Sequence, residues 1–156
     1  GVQTCALPIS CNTGEAEFGL TAASTLAAGV DGDKPFDGEM DNVYLLVSLY
    51  PHVTQYVVME DSGISSVEDL KGKSVSVMPK GWSAEADNRK MLGALGMSYD
   101  DFARVEYLAY GETVNLMKDG RLDAGLFQAT LPHASIVDLT TARDVRFLEL
   151  TGETAE

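Results

Sequence analysis

Apolar residues in this chain gather in short β-branched runs, separated by stretches with helical period, and the two kinds of segment alternate along most of its length. Val43–Leu49 and Gln55–Met59 are apolar and β-branched, which predicts two strands, with Tyr50-Pro51-His52 between them. Pro51 has no amide to donate to a central ladder, so it marks a bend. Val67–Leu70 reads as a short helix, with Ser66 and Asp69 at capping-box spacing, and Ser74–Met78 as a strand. The strongest helix pattern runs over Ala84–Leu95, with Met91, Leu92 and Leu95 on one face and Gly96 as its stop. A strand at Val105–Leu108, a helix at Glu112–Lys118, a strand at Ala124–Phe127, a helix at Ile136–Thr141 and a strand at Val145–Leu150 complete the series. This βαβαβαβ order predicts an α/β fold, a mostly parallel sheet flanked by helices on both faces, joined by right-handed crossovers. Val75, Val77, Leu92, Leu95, Val105, Leu108, Leu116, Leu126 and Phe127 are expected to form one contiguous core.

An internal echo suggests a second copy of the plan. Gly14-Glu15-Ala16-Glu17-Phe18-Gly19-Leu20 matches Gly120-Arg121-Leu122-Asp123-Ala124-Gly125-Leu126 in its glycines, its fourth-position acid and its final leucine. In each copy a helix is expected to end at the first glycine and a short apolar strand to follow. Leu26–Asn42, rich in Gly, Asp and Ala, reads as a helix end and a surface loop. The expected organisation is one nearly complete lobe over 61–150, and a partial first lobe with hinge strands over 11–60. Residues 151–156 would begin a return to that first lobe. Strands at Phe18–Thr21 and Val43–Leu49 would then lack neighbours and expose apolar edges.

Composition changes this picture little. Of 156 residues, 45% are hydrophobic and 22% charged, as in globular proteins, and no apolar run is long enough to span a membrane. Acidic residues outnumber basic ones 24 to 11, giving a formal charge of −13. That field repels nucleic acid, although a local pocket can still bind an anion. Gly1-Val2-Gln3-Thr4-Cys5-Ala6-Leu7-Pro8-Ile9 reads as translated sequencing adapter, a scar expected to pack against nothing. Cys11 is then left alone, so cysteine usage does not report the compartment.

Ligands on open α/β sheets bind beyond the carboxyl ends of strands, where helix N-termini converge. The strand Ser74–Met78 runs through Pro79-Lys80-Gly81-Trp82-Ser83-Ala84-Glu85 straight into the long helix. Ser83 is placed to cap that helix, and the remaining free amides with the helix dipole suit a carboxylate. Lys80 adds a charge and Trp82 a flat wall. The plainer alternative is that Ser83 only caps and Trp82 only packs. Gln128, after the last sheet strand before Pro132, can offer its amide to a ligand or be an ordinary loop glutamine. Thr21 holds the related place in the internal echo. His52 and His133 are the only histidines and lack metal-ligand spacing, and no nucleophile-elbow, Walker or dinucleotide motif occurs. No cofactor or catalytic residue is expected.

Asp61-Ser62-Gly63-Ile64-Ser65-Ser66-Val67-Glu68-Asp69-Leu70-Lys71-Gly72-Lys73-Ser74-Val75-Ser76-Val77 and Lys118-Asp119-Gly120-Arg121-Leu122-Asp123-Ala124-Gly125-Leu126-Phe127 give the chain a further likeness. From about Gly14 to Leu150 it resembles the solute receptors of TRAP transporters, specifically the TAXI family. The resemblance implies a periplasmic-binding-protein-like fold, an extracytoplasmic location and a membrane permease as partner. It also implies capture of a small organic acid or amino acid, anionic or zwitterionic, in a cleft between lobes. The family's loop has the form Pro-x-Gly-Ser-Gly-Thr-Glu. Gly81 and Glu85 hold their places in it, while Trp82 and Ala84 replace two hydroxyl residues. The resemblance also brings Tyr50, in the Tyr-Pro turn, near the ligand. Two rival readings share the lobe plan. One is an effector-sensing domain of a transcription regulator, which an upstream helix-turn-helix would identify. The other is an enzyme on the same bilobal fold, which would need a reactive acid or cysteine in the cleft.

Overall fold

Strand β1, Val53–Met59, alternates its side chains between two buried faces, and both faces of the sheet around it are covered. The computed structural model describes residues 6–149. Four more strands follow: β2 (Ser74–Ser76), β3 (Arg104–Glu106), β4 (Ala124–Ala129) and β5 (Val145–Leu148). The helices are α1 (Ala6–Asn12), α2 (Ala23–Val30), α3 (Ser83–Ala94), α4 (Tyr110–Lys118) and α5 (Ala134–Ala142). The sheet order is β3-β2-β4-β1-β5. β2 pairs in parallel with β3 and β4, whereas β1 runs antiparallel to both β4 and β5. Four strands therefore share one direction, and β1 is inserted against them. The pairing of β2 continues past its end, where the Val77 amide donates to the Glu106 carbonyl at 2.9 Å.

The expected single core is two cores, one on each face of the sheet. Val75, Val77, Leu92 and Leu126 pack together on the α3 side, with Leu95 and Val105 at the margin. Phe127 packs on the other side with Val114 and Met117 of α4 and Ile136 and Leu139 of α5, joined by Leu108 and Leu116. Adjacent residues of one strand point to opposite faces, so Leu126 and Phe127 cannot share a cluster. Helix α4 lies close against β4. A Cβ on Gly125 would come within 2.7 Å of Thr113 Cγ2 and 3.0 Å of Met117 Sδ. Buried hydroxyls of Ser76 and Thr113, 2.7 Å apart, satisfy each other at the same contact.

The chain divides into two compact units, Gly1–Leu49 with Gly81–Ser83, and Tyr50–Lys80 with Ala84–Glu156. The sheet belongs to the second. In the first, α1 and α2 are followed by a loop whose Met40 and Phe36 are buried, with the Met40 amide donating to the Gly29 carbonyl at 2.9 Å. The adapter reading leaves Gly1–Cys5 outside the described residues. Ala6–Ile9, however, form the first turn of α1, where a proline is tolerated, and Pro8 is buried, so this stretch does pack.

Two expected strands are absent. Val43–Leu49 and Phe18–Thr21 join no ladder. Tyr44, Leu45, Leu46, Val47 and Leu49 stand exposed, Tyr44 at 83%, and Phe18 is 79% exposed. An apolar run becomes a strand only when another strand accepts its hydrogen bonds. The internal echo accordingly holds at its turn, where Gly14 and Gly120 both take positive φ, and fails at its strand, which forms only in the second copy.

Candidate functional site

At the carboxyl end of β2 the backbone turns sharply. Met78 is fully buried with φ 72°, in a left-handed conformation that a side chain rarely adopts, and Gly81 follows at φ 86°. A Cβ at Gly81 would meet open space, so conformation and not room calls for glycine there. Pro79 and Lys80 lie between these two residues. The exposed Lys80 ammonium sits 4.4 Å from the centre of the Tyr107 ring, which follows the end of the neighbouring parallel strand β3. This holds a positive charge at the strand ends.

Helix α3 begins on Ser83, which is therefore its first residue rather than the flanking cap expected. Ala84 is buried in the core. Glu85 is buried too, and its carboxylate accepts from the Arg89 guanidinium at 2.6 Å, so its charge is already matched within the helix. One turn on, Asn88 ties α3 to the sheet. Its Oδ1 accepts from the Tyr56 hydroxyl of β1, and its Nδ2 donates to Tyr99 Oη at 3.1 Å. Tyr99 in turn donates to the Glu85 carbonyl at 3.3 Å. Burial pushes the Tyr56 and Tyr99 phenols well above the usual tyrosine range.

Gln128, in β4, faces the first turns of α3. Its Nε2 donates to Asp87 Oδ2 at 2.9 Å and to Thr54 Oγ1 at 3.3 Å, Thr54 being its antiparallel partner in β1. Its carbonyl accepts from the Tyr110 hydroxyl at 2.5 Å. Tyr110 opens α4, stacks on Phe127 and packs against His133, 4.7 Å between ring centres. His133 caps α5, its Nδ1 accepting from the Ser135 amide at 3.3 Å.

In the second unit, then, Lys80, Ala84, Glu85 and Gln128 lie at or near the carboxyl-terminal edge of the parallel strands. Tyr50, half exposed, packs its ring 5.5 Å from that of His52. Gly81, Trp82, Ser83 and Thr21 fall in the first unit. Thr21 Oγ1 is buried and makes no hydrogen bond among the described residues. The sequence reading missed Asp87, Thr54, Tyr107 and Tyr110. Asp87 lies 41 positions from Gln128 and Thr54 lies 74, distances over which no spacing rule operates. A shallow hollow of about 230 Å³ lined by Met59, Glu60, Asp61, Arg143 and Asp144 sits at the other end of β1. That is the amino-terminal side of the parallel strands, where α/β sheets do not bind ligands.

Among the described residues no cluster of His, Cys, Asp or Glu could hold a metal ion, and no helix is long and apolar enough to cross a membrane. In the second unit the arrangement offers a cation at Lys80 and an amide at Gln128 polarised by Asp87.

Solved structures share the fold. The periplasmic aliphatic sulphonate binding protein SsuA of Escherichia coli is 24% identical, with a TM-score of 0.53 over 65% of this chain and 33% of its own. The alkanesulfonate-binding SsuA of Xanthomonas axonopodis pv. citri, bound to MOPS, is 26% identical, with a TM-score of 0.52 over 64% and 32%. The periplasmic sulfonate-binding SsuA of Methylobacillus flagellatus KT is 17% identical, with a TM-score of 0.63 over 91% and 39%. The chain thus spans between about a third and two fifths of the length of these proteins. The fold is that of the periplasmic binding proteins. The model of the NMT1-like family matches residues 9–156, and the chain belongs to that family.

Proposed function

We propose that this chain is part of the extracytoplasmic substrate-binding component of a TRAP-type transporter, taking a small organic acid or amino acid and passing it to a membrane permease. The observation that carries the reading is the edge of the second unit. There Lys80 and Gln128 stand at the carboxyl ends of β2 and β4. The sheet order and the likeness to periplasmic binding proteins support it. The ligand's acidic group would lie at the amides of Ser83–Glu85 with Lys80 beside it and Trp82 as a wall, a helix start favouring an anion. Tyr50 and Thr21 would contribute from their own segments. A ligand that touches more of the protein in one arrangement of the units than another would shift it toward that arrangement, and no bond is made or broken.

Calorimetry of the full chain with dicarboxylates, amino acids, alkanesulfonates and neutral sugars tests the reading. Lys80→Ala should weaken acid binding by roughly 1–3 kcal/mol, the range of a charged hydrogen bond, and leave melting unchanged. Tight binding of sugars with no acid bound, or full acid affinity in Lys80→Ala, would remove the anion site. A second reading, in which the acid is a sulfonate, draws on the Xanthomonas structure bound to MOPS. Uptake in vesicles holding the protein and its permease separates the transporter types. Transport without ATP supports a TRAP permease, whereas a strict need for ATP indicates an ABC transporter.

A further inference from the structure

We infer that Gln128 is a fixed hydrogen-bond acceptor selecting ligands that carry a donor beside their acidic group, and that Asp87 is the residue that fixes it. The inference rests on the anion-binding reading and narrows its ligand class.

A glutamine amide has two N–H donors and one carbonyl oxygen. Both donors of Gln128 are engaged, one by Asp87 Oδ2 at 2.9 Å and the other by Thr54 Oγ1 at 3.3 Å. A carboxylate only accepts, so the amide nitrogen must face Asp87. The flipped amide would set Oε1 against Oδ2, two acceptors in contact. Oε1 is thereby turned away from both partners, and among the described residues nothing donates to it. The residue has little freedom to choose otherwise. Its backbone is paired with Thr54 in the ladder, its carbonyl is held by the Tyr110 hydroxyl, and Tyr110 is itself stacked on Phe127.

From the sequence Gln128 is expected to offer its amide to a ligand or to be an ordinary loop glutamine. The geometry leaves only the accepting sense. Gln128 and Lys80 stand at the carboxyl ends of the neighbouring parallel strands β4 and β2; with its acid at Lys80, a ligand would set a second group against the oxygen of Gln128. An unsubstituted dicarboxylate or alkanesulfonate carries only a hydrocarbon group beside its acid and leaves that oxygen without a donor. An ammonium or hydroxyl group donates and is held. The favoured class is therefore amino acids and hydroxy acids.

Calorimetry of the full chain with glutamate, 2-hydroxyglutarate, glutarate and ethanesulfonate tests this. The wild type should bind glutamate or 2-hydroxyglutarate at least tenfold more tightly than glutarate or ethanesulfonate. Asp87→Ala frees the amide to turn its nitrogen outward. Glutarate affinity should rise and the preference fall below threefold, with an unchanged melting curve. Thr54→Val releases one donor only, and should give an intermediate preference even if Asp87→Ala folds poorly. Gln128→Leu should weaken glutamate and strengthen glutarate, so that the preference is lost. Equal wild-type affinity for glutarate and glutamate would overturn the inference while leaving the anion site intact. A preference untouched by both Asp87→Ala and Thr54→Val would overturn the role of Asp87. If only neutral sugars bind, the anion reading fails. The acceptor role then survives only if Gln128→Leu weakens the sugar, and falls if it does not.

Discussion

Asn88 is a buried amide committed at both ends, accepting from Tyr56 and donating to Tyr99. Leucine at this position would keep the volume and strand the buried Tyr56 hydroxyl, while Tyr99 keeps its bond to the Glu85 carbonyl. Since an unpartnered buried polar group costs its desolvation, Asn88→Leu should lower stability by roughly 1–3 kcal/mol in urea titrations. Tyr56 adds a dependence on alkaline pH. Burial first, and the neighbouring Tyr99 second, raise its pKa in the folded chain above the unfolded value. The folded state then holds its proton where the unfolded state gives it up. Stability from this group is complete below about pH 10, the usual value for a free tyrosine, and is lost as pH rises beyond it. Denaturant midpoints measured from pH 8 to 11.5 should fall more steeply in the wild type than in Tyr56→Phe. Residues of this kind were not legible in the sequence. Lys80 and Gly81 could be picked out because they follow a strand and precede a helix, a local pattern. Asn88, Asp87 and Thr54 acquire meaning only when α3 is laid on β1 and β4, and that contact is set by packing far along the chain.

At the scale of elements the sequence was a good guide to helices and to strands with partners. α3, α4, β4 and β5 lie within a few residues of where periodicity set them. The direction of β1 was not legible, because alternation along a strand is the same whichever way its neighbour runs. Val43–Leu49 misled for a related reason. Its composition is that of a strand covered on both faces, but composition supplies no partner. The close seating of α4 on β4 can be tested at Gly125. A methyl group there meets Thr113 and Met117 at 2.7 and 3.0 Å, against a helix that cannot back away from its own core. Gly125→Ala should cost about 1–3 kcal/mol through overpacking, read from the chemical denaturation midpoint. Gly81→Ala should instead act through backbone strain alone.

At the scale of the whole molecule the two units differ in how they meet solvent. The second buries its apolar residues on both faces of its sheet, while the first leaves Tyr44, Leu45, Leu46, Val47 and Leu49 in water. A contiguous exposed apolar run of this kind favours association with another apolar surface. Replacing Leu45 and Leu46 by serine should reduce association in sedimentation velocity, and shift the stability of the second unit by no more than about 0.5 kcal/mol, as surface changes do. The antiparallel insertion of β1 has a consequence in time. Its four most buried residues, Tyr56 to Met59, are made early, and the strands on either side of them, β4 and β5, end at Ala129 and Leu148. On a ribosome adding residues one by one, this stretch waits without a partner until β4 has been made. Closing such distant pairings is slow, because the loop entropy must be met before the contacts form. β4 reaches β1 first and β5 closes its outer side last, so a chaperone holding the nascent chain would find its binding segment at the centre of the finished unit.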